Sequence, residues 1–178
     1  MLTFIHTPKC GGTYTGKILE YLKIPNKGHT KYNSPESITF TIIRDPVDRF
    51  KSLLNFRSNL PPHSMPGKME HSITPSVLYE SLTLDEIVSK MTDDEILGFT
   101  SYNTLVYWTE NVDIVITIDE LPELLGRFGY TYPNFEKENV SLKNKGTFNE
   151  ETRNRVKILF AEDVILFNKI KLKTFSDF

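Results

Sequence analysis

The sequence has one cysteine, no long apolar run and no excess of charge of one sign, and each absence excludes a class of protein. With Cys10 alone, no disulfide can form within the chain, so the fold does not require an oxidising compartment. No stretch approaches the roughly 20 apolar residues that a membrane helix needs. The 21 Lys and Arg residues nearly balance 23 Asp and Glu residues, which argues against a general nucleic-acid-binding protein, because phosphate contacts require a basic excess.

The residues that are present are typical of a globular protein. Charged residues make up 25% of the chain, and its 12 Phe and 8 Tyr exceed what a disordered segment carries. A length of 178 residues predicts a single domain over residues 1–178. The N-terminus has neither the basic start nor the apolar segment of a signal peptide. We therefore expect a cytoplasmic protein without a membrane partner.

Apolar, β-branched segments predict three buried strands, and helical patterns separate them. The predicted strands are residues 2–6, 38–43 and 112–118. Helical spacing of apolar residues predicts helices at residues 13–23, from Asp45-Pro46 onward, at 76–91, 92–108, 119–128 and 149–171. Residues 57–76, rich in proline, predict a long irregular loop. Strands alternating with helices predict an α/β fold with a mainly parallel central sheet and helices on both faces.

The first strand is followed by Thr7-Pro8-Lys9-Cys10-Gly11-Gly12-Thr13 and then by a helix. Two consecutive glycines allow the backbone to approach an anion closely, and the start of a helix directs N–H groups toward it. Lys9 adds a positive charge, and the hydroxyls of Thr13 and Thr15 can donate hydrogen bonds. The segment predicts a phosphate-binding loop, with a plain glycine-rich turn as the alternative.

The same segment approaches the P-loop of nucleoside triphosphate-binding proteins. Gly11 is followed at the right spacing by Gly16-Lys17, but Ile18 stands where the Ser or Thr that ligates Mg²⁺ is needed. Isoleucine cannot ligate a metal, so we expect a phosphate-bearing ligand whose chemistry proceeds without magnesium. A P-loop nucleotide kinase or triphosphatase remains the alternative.

A second cluster follows the second strand. Arg44 stands at the predicted carboxyl end of this buried strand, where ligands bind in open α/β sheets, and Ser52 follows about two helical turns later. A guanidinium and a hydroxyl placed in this way can bind one phosphate. The alternative for Arg44-Asp45-Pro46 is a helix start with a local ion pair. Arg49 fits a structural role on the helix.

Together these motifs resemble those of sulfotransferases that use 3′-phosphoadenosine-5′-phosphosulfate (PAPS). Residues 4–13 are similar to their 5′-phosphosulfate loop, and residues 44–52, with Asn55-Phe56 after them, are similar to their 3′-phosphate-binding strand and helix. The likeness is to the carbohydrate branch, including heparan sulfate 2-O-sulfotransferase. Residues 113–129 and 139–141 resemble later segments of these enzymes more loosely. The resemblance implies a P-loop-like three-layer fold.

The resemblance also implies roles for individual residues. Lys9 would stabilise the charge that develops on the bridging oxygen, while Arg44 and Ser52 would bind the 3′-phosphate. Lys143 and Lys145 would close over the cofactor, with a solvated lysine-rich loop as the alternative. Cys10 is interpreted as a small packing residue of the loop. The segment implied to contact PAPS through main chain or side chains comprises Pro8, Lys9, Cys10, Gly11, Gly12, Thr13, Tyr14 and Thr15.

A hydroxyl acceptor requires a general base, and His29 is the preferred candidate among the four histidines. It lies in Gly28-His29-Thr30, where the glycan enzymes carry a Gly-His segment whose histidine acts as base. His6 is interpreted as structural or orienting, and His63 and His71 fall in the long loop. A Glu or Asp base remains an alternative.

The predicted reaction moves a sulfonate group in line from PAPS to a hydroxyl, or as second choice an amine, of a glycan or small hydroxylated molecule, without a metal. The net charge of −2 favours a neutral or weakly charged acceptor. Two alternatives remain, the kinase or triphosphatase and an inactive module that binds the product 3′-phosphoadenosine-5′-phosphate (PAP). The sequence contains no indication of the oligomeric state.

Overall fold

Three short strands form a parallel sheet in the computed structural model. The strands are β1 (Leu2–Ile5), β2 (Ile38–Ile43) and β3 (Ile114–Thr117), in the order β1-β2-β3. Phe4 pairs with Phe40 in the first ladder, and Phe40 pairs with Ile114 in the second. The described residues are 1–31, 36–58, 82–99, 104–135 and 146–172. Within them, the prediction of an α/β protein with a parallel sheet is confirmed.

Both faces of the two strands nearest the candidate loop are covered. All four residues of β1 are buried, as are Thr39 to Ile43 of β2. Because successive side chains of a strand point to opposite faces, neither face of these strands is open to solvent. This burial explains why the strands read as nearly continuous apolar, β-branched runs.

Helices occupy most of the remaining described chain, and none of those described is both long and apolar enough to cross a bilayer. A short 3₁₀ turn at Ile118–Glu120 precedes the sixth helix. The helices are α1 (Gly12–Tyr21), α2 (Pro46–Ser58), α3 (Leu84–Lys90), α4 (Asp93–Phe99), α5 (Leu105–Thr109), α6 (Leu121–Arg127), α7 (Glu150–Leu159) and α8 (Ala161–Leu172).

Two segments that the sequence predicts as single helices are each divided in the structure, so these two predictions are wrong. The predicted helix 149–171 is divided at Phe160, whose backbone is non-helical (φ −107°, ψ 37°) and whose ring lies 5.7 Å from that of Phe50. The predicted helix 92–108 contains α4 and α5, with residues 100–103 outside the described part. Of the predicted loop 57–76, Arg57 and Ser58 belong to α2, and the rest lies outside the described residues.

The chain divides into two compact units, each assembled from separate segments. The first unit contains residues 1–44, 105–139 and 165–178, and the second contains residues 45–104 and 140–164. The core of the first unit surrounds the sheet and includes Phe4, Leu19 and Phe40. The core of the second unit includes Phe50, Ile87 and Val156. The single domain over residues 1–178 stays a prediction.

Candidate functional site

The candidate site begins in the loop that joins β1 to α1. Thr7 is fully buried, and its hydroxyl lies 2.7 Å from that of Thr41 in β2. The Thr41 hydroxyl donates to the carbonyl of Ile5 (2.7 Å) and therefore accepts from Thr7. This chain of hydrogen bonds ties the beginning of the loop to both neighbouring strands and fixes the direction in which it leaves the sheet.

The loop then changes direction at two residues that have a left-handed backbone conformation. Gly11 has φ 89° and is the N-cap of α1, and Lys9 has φ 64° although it is not a glycine. A left-handed backbone costs a residue with a side chain roughly 1–2 kcal/mol, so the loop must hold Lys9 in place through its surroundings. No described side chain caps α1, and its first turn holds no acidic residue. The helix therefore presents the positive end of its dipole at the loop.

Lys9 and Arg44 bring two positive charges near each other at the carboxyl ends of β1 and β2. Burial lowers the pKa of Lys9, and the positive charge of Arg44 lowers it further. The two cations therefore repel each other. An anion bound between them would relieve this repulsion, so the arrangement suits an anionic ligand.

The segment that carries His29 runs beside the outer edge of β1. The N–H of Phe4 donates to the carbonyl of Pro25 (2.9 Å), and the N–H of Lys27 donates back to the carbonyl of Phe4 (3.0 Å). A third bond runs from the N–H of His6 to the carbonyl of Gly28 (2.9 Å). These bonds bring the exposed His29 to the same end of β1 as the loop.

The hydrogen bond that His29 makes determines its tautomer. Its Nδ1 lies 2.9 Å from the main-chain oxygen of His6. A carbonyl oxygen can only accept, so Nδ1 carries the proton and the neutral ring holds its lone pair on Nε2. The edge of the Trp108 ring system lies beside the imidazole, with centroids 6.3 Å apart. In the neutral ring Nε2 is therefore the nitrogen that could accept a proton, and the role of His29 as a general base stays a prediction.

His6 lies between these parts of the site. Burial, the neighbouring His29 and the charge of Lys9 together lower the pKa of His6 to about 4. At neutral pH the His6 ring is therefore uncharged, and its orienting role stays a prediction.

The other predicted residues of the loop differ in their exposure. Cys10 is buried in the first core, in agreement with its interpretation as a packing residue, and Pro8 is buried as well. Thr13 is exposed in the first turn of α1, whereas Thr15 is fully buried, with no hydrogen-bond partner for its hydroxyl in the described part of the chain. Tyr14 packs against the first core.

The helix that follows Arg44 begins as the sequence predicts. The Asp45 carboxylate accepts from the N–H groups of Val47 and Asp48 (3.0 Å each) and caps α2. Arg49 is buried 3.9 Å from Asp163, which fits its predicted structural role. Ser52 is half-buried on α2 within the second unit, and its cooperation with Arg44 stays a prediction.

Several predicted residues lie outside the described part of the chain. They are Lys143, Lys145, the segment 139–141, and the two further histidines His63 and His71.

The alternative triphosphate loop is not supported by the geometry around Gly11. In a P-loop, the residues between the two glycines form a loop that wraps around the phosphates. Here those residues already belong to α1, where Lys17 is exposed and Ile18 is completely buried in the core. Between β1 and α1, the residues outside regular structure are those of the short His6–Gly11 connection.

Sequence reasoning missed Trp108 and the packing of His6 on Gly12. Trp108 reaches His29 from α5, far along the chain, and no spacing rule connects the two residues. The Gly11-Gly12 pair indicated close approach to an anion, but a Cβ at Gly12 would meet the His6 ring. Only the folded chain shows this contact.

Comparison with known proteins yields no match: no family model fits the chain, and no curated protein or solved structure is similar to it.

Proposed function

We propose that the chain is a PAPS-dependent sulfotransferase that acts on a hydroxyl of a neutral or weakly charged glycan or small molecule. One arrangement carries the proposal. Lys9, Arg44 and the uncapped start of α1 lie near each other at the ends of two parallel strands, and His29 lies beside them. The order β1-β2-β3 and the burial of both faces of β1 and β2 support the P-loop-like three-layer architecture that the proposal includes.

The residues present fit an anionic nucleotide as the sulfonate donor. The N–H groups at the start of α1 and the Lys9 ammonium suit the 5′-phosphosulfate, and the Arg44 guanidinium suits a second phosphate. The mutual repulsion of Lys9 and Arg44 means that binding such an anion is favourable to both. Lys143, Lys145 and Ser52 remain proposed contacts to PAPS.

The proposed reaction exchanges one S–O bond for another. The acceptor hydroxyl loses its proton to Nε2 of His29 while its oxygen bonds to sulfur, and the bond from sulfur to the bridging phosphate oxygen breaks. Lys9 donates a hydrogen bond to that oxygen as negative charge develops on it. The products are the sulfate ester, PAP and a proton, which His29 then releases to solvent.

Sulfonate transfer needs no metal-ligating hydroxyl at position 18, where Ile18 is instead buried in the first core. The transferred sulfonate carries less negative charge than a phosphoryl group and requires less neutralisation by a metal. The positive charges of Lys9 and the helix dipole then suffice for the leaving phosphate. This reasoning favours sulfonate transfer over the kinase alternative.

Turnover of ³⁵S-labelled PAPS with a panel of neutral oligosaccharides and simple alcohols tests the proposal. Lys9→Ala removes the donor to the leaving oxygen and should lower the rate of sulfonate transfer by about 10²-fold or more. Lys17→Ala removes an exposed lysine of α1 outside the loop and should leave the rate unchanged. Equal rates for Lys9→Ala and wild type would contradict the role of Lys9. Binding of PAP without transfer to any acceptor would identify an inactive module instead.

A further inference from the structure

Position 12 must be a glycine because the side chain of His6 fills the adjacent space. The backbone conformation at position 12 does not itself require glycine. A Cβ built at Gly12 would lie 1.7 Å from Nε2 of His6, 2.1 Å from Cε1 and 2.4 Å from Cδ2. Gly12 is the first residue of α1 and is not among the residues with positive φ, so its backbone would accept alanine. The His6 ring therefore occupies the space that a side chain at the start of α1 would fill.

The His6 ring also packs against the ring of His29, the proposed base. The imidazoles of His6 and His29 have centroids 4.2 Å apart and planes inclined by 32°. Phe4 stacks on the same ring, with centroids 5.9 Å apart and an angle of 22°. The main-chain oxygen of His6 accepts the hydrogen bond from His29 Nδ1 at 2.9 Å. One residue thus contacts the helix start with its ring and holds the base with both its ring and its main chain.

We propose that His6 is the positioning residue of the site: its ring holds His29 beside the start of α1, in the position from which Nδ1 donates to the main-chain oxygen of His6. This role rests on the proposed function, because it gives a reason why the base must stand at a fixed distance from the anion-binding loop. The glycine at position 12 follows as a consequence, since any larger residue would displace the ring.

The surroundings of His6 suit this task. Lys9 and His29 are the charged and titratable neighbours that, after burial, lower its pKa to about 4. The ring therefore stays neutral when His29 takes up a proton. A neutral aromatic ring in contact with the resulting imidazolium does not repel it, whereas a protonated His6 would.

Three variants of the full chain separate positioning from folding. Gly12→Ala places a methyl group in the ring's position, His6→Ala removes the ring, and the double variant His6→Ala/Gly12→Ala lets the methyl group occupy the vacated space. Gly16→Ala is the matched control, because its Cβ would have only an ordinary contact of 4.0 Å with Asn26 Nδ2. As an alanine in a helix interior, it should raise Tm by about 2–4 °C.

The tautomer of His29, read from its imidazole ¹⁵N chemical shifts, reports positioning without any substrate. Wild type and Gly16→Ala should show the Nδ1-protonated form, whereas Gly12→Ala and His6→Ala should lose that preference. Gly12→Ala should also lack the rise in Tm that Gly16→Ala shows, and the double variant should regain it while His29 stays mispositioned. Wild-type ¹⁵N shifts of His29 in both Gly12→Ala and His6→Ala would overturn the proposal.

Titration with PAP distinguishes this inference from the proposed function. His6→Ala should bind PAP within about threefold of wild type, because it leaves residues 8–15 of the loop unchanged, but should lose at least about 10²-fold in kcat. If PAP fails to bind wild type while the ¹⁵N shifts respond as expected, the proposed function fails and the positioning of His29 by His6 stands. If PAP binds and His6→Ala turns over like wild type, the positioning role fails alone.

Discussion

At the scale of single residues, His29 shows how a main-chain contact can prepare a side chain for chemistry. Its ring is exposed, yet the bond from Nδ1 to the oxygen of His6 selects which nitrogen carries the proton. An exposed histidine without this bond would exchange between both forms. The fixed tautomer is the property that a general base needs, because Nε2 must hold a lone pair when the acceptor hydroxyl arrives.

Replacing His29 with alanine should therefore remove proton transfer and little else. We expect kcat to fall by about 10²-fold or more, because positioned general bases contribute at least that much. The dissociation constant for PAP should stay within about twofold, since Lys9 and Arg44 remain. Lys27→Ala, on the same segment and exposed, provides the control and should keep wild-type turnover. Near wild-type turnover of the His29→Ala variant would eliminate it as the base.

Sequence reasoning could propose Lys9 and Arg44 because each stands at a recognisable place relative to a strand or a glycine, and His29 because its Gly-His segment resembles that of the glycan enzymes. It could not reveal that Lys9 has a left-handed backbone, since a lysine gives no signal for φ 64°. Nor could it show that the two glycines are needed for different reasons. Gly11 needs its freedom for φ 89°, whereas Gly12 gives room to the ring of a residue in the preceding segment.

At the scale of elements, three Thr-x-x-Glu segments determine where helical structure begins. Thr83 and Glu86 start α3, Thr92 and Glu95 start α4, and Thr117 and Glu120 start the 3₁₀ turn that leads into α6. In such a capping box the Glu carboxylate accepts from the N–H of the Thr. At the third of these segments, the capping pair is Thr117 and Glu120.

Removal of one cap tests this description of the helix starts. Thr92 donates to Glu95 through its N–H (2.8 Å), and its hydroxyl lies 3.2 Å from the Glu95 N–H that it accepts from. Thr92→Ala should lower the free energy of unfolding by about 1 kcal/mol, visible as a fall in Tm of about 2–4 °C. Thr92→Ser keeps the hydroxyl and should lose much less. An alanine variant as stable as wild type would show that this box does not stabilise α4.

The same segments mark where α3 and α4 begin. Apolar spacing predicted a helix from residue 92, and α4 begins at Asp93. It also predicted a helix over 76–91, of which residues 76–81 lie outside the described part, and α3 begins at Leu84 after its capping box. The break at Phe160 had no comparable signal. The helix breaks there because of packing: the Phe160 ring packs against Phe50 in the second core.

At the scale of the whole molecule, the candidate site draws its described parts from one unit. Lys9, Arg44, His6 and His29 all belong to the unit that contains the sheet. The strand positions were predictable because buried parallel strands leave a strong pattern of apolar residues, whereas the order β1-β2-β3 comes from the structure alone. The division into two units was not predictable, since each is assembled from segments that are distant in sequence.

A thermal-shift titration with PAP against Mg-ATP tests the central claim, that this unit carries a nucleotide site for sulfonate transfer. At about 100 times its Kd a ligand stabilises a protein by roughly 2.7 kcal/mol, which for a chain of this size raises Tm by about 5–11 °C. The sulfotransferase proposal predicts this rise with PAP and no rise with Mg-ATP. A rise with Mg-ATP and none with PAP would contradict it and favour the kinase alternative.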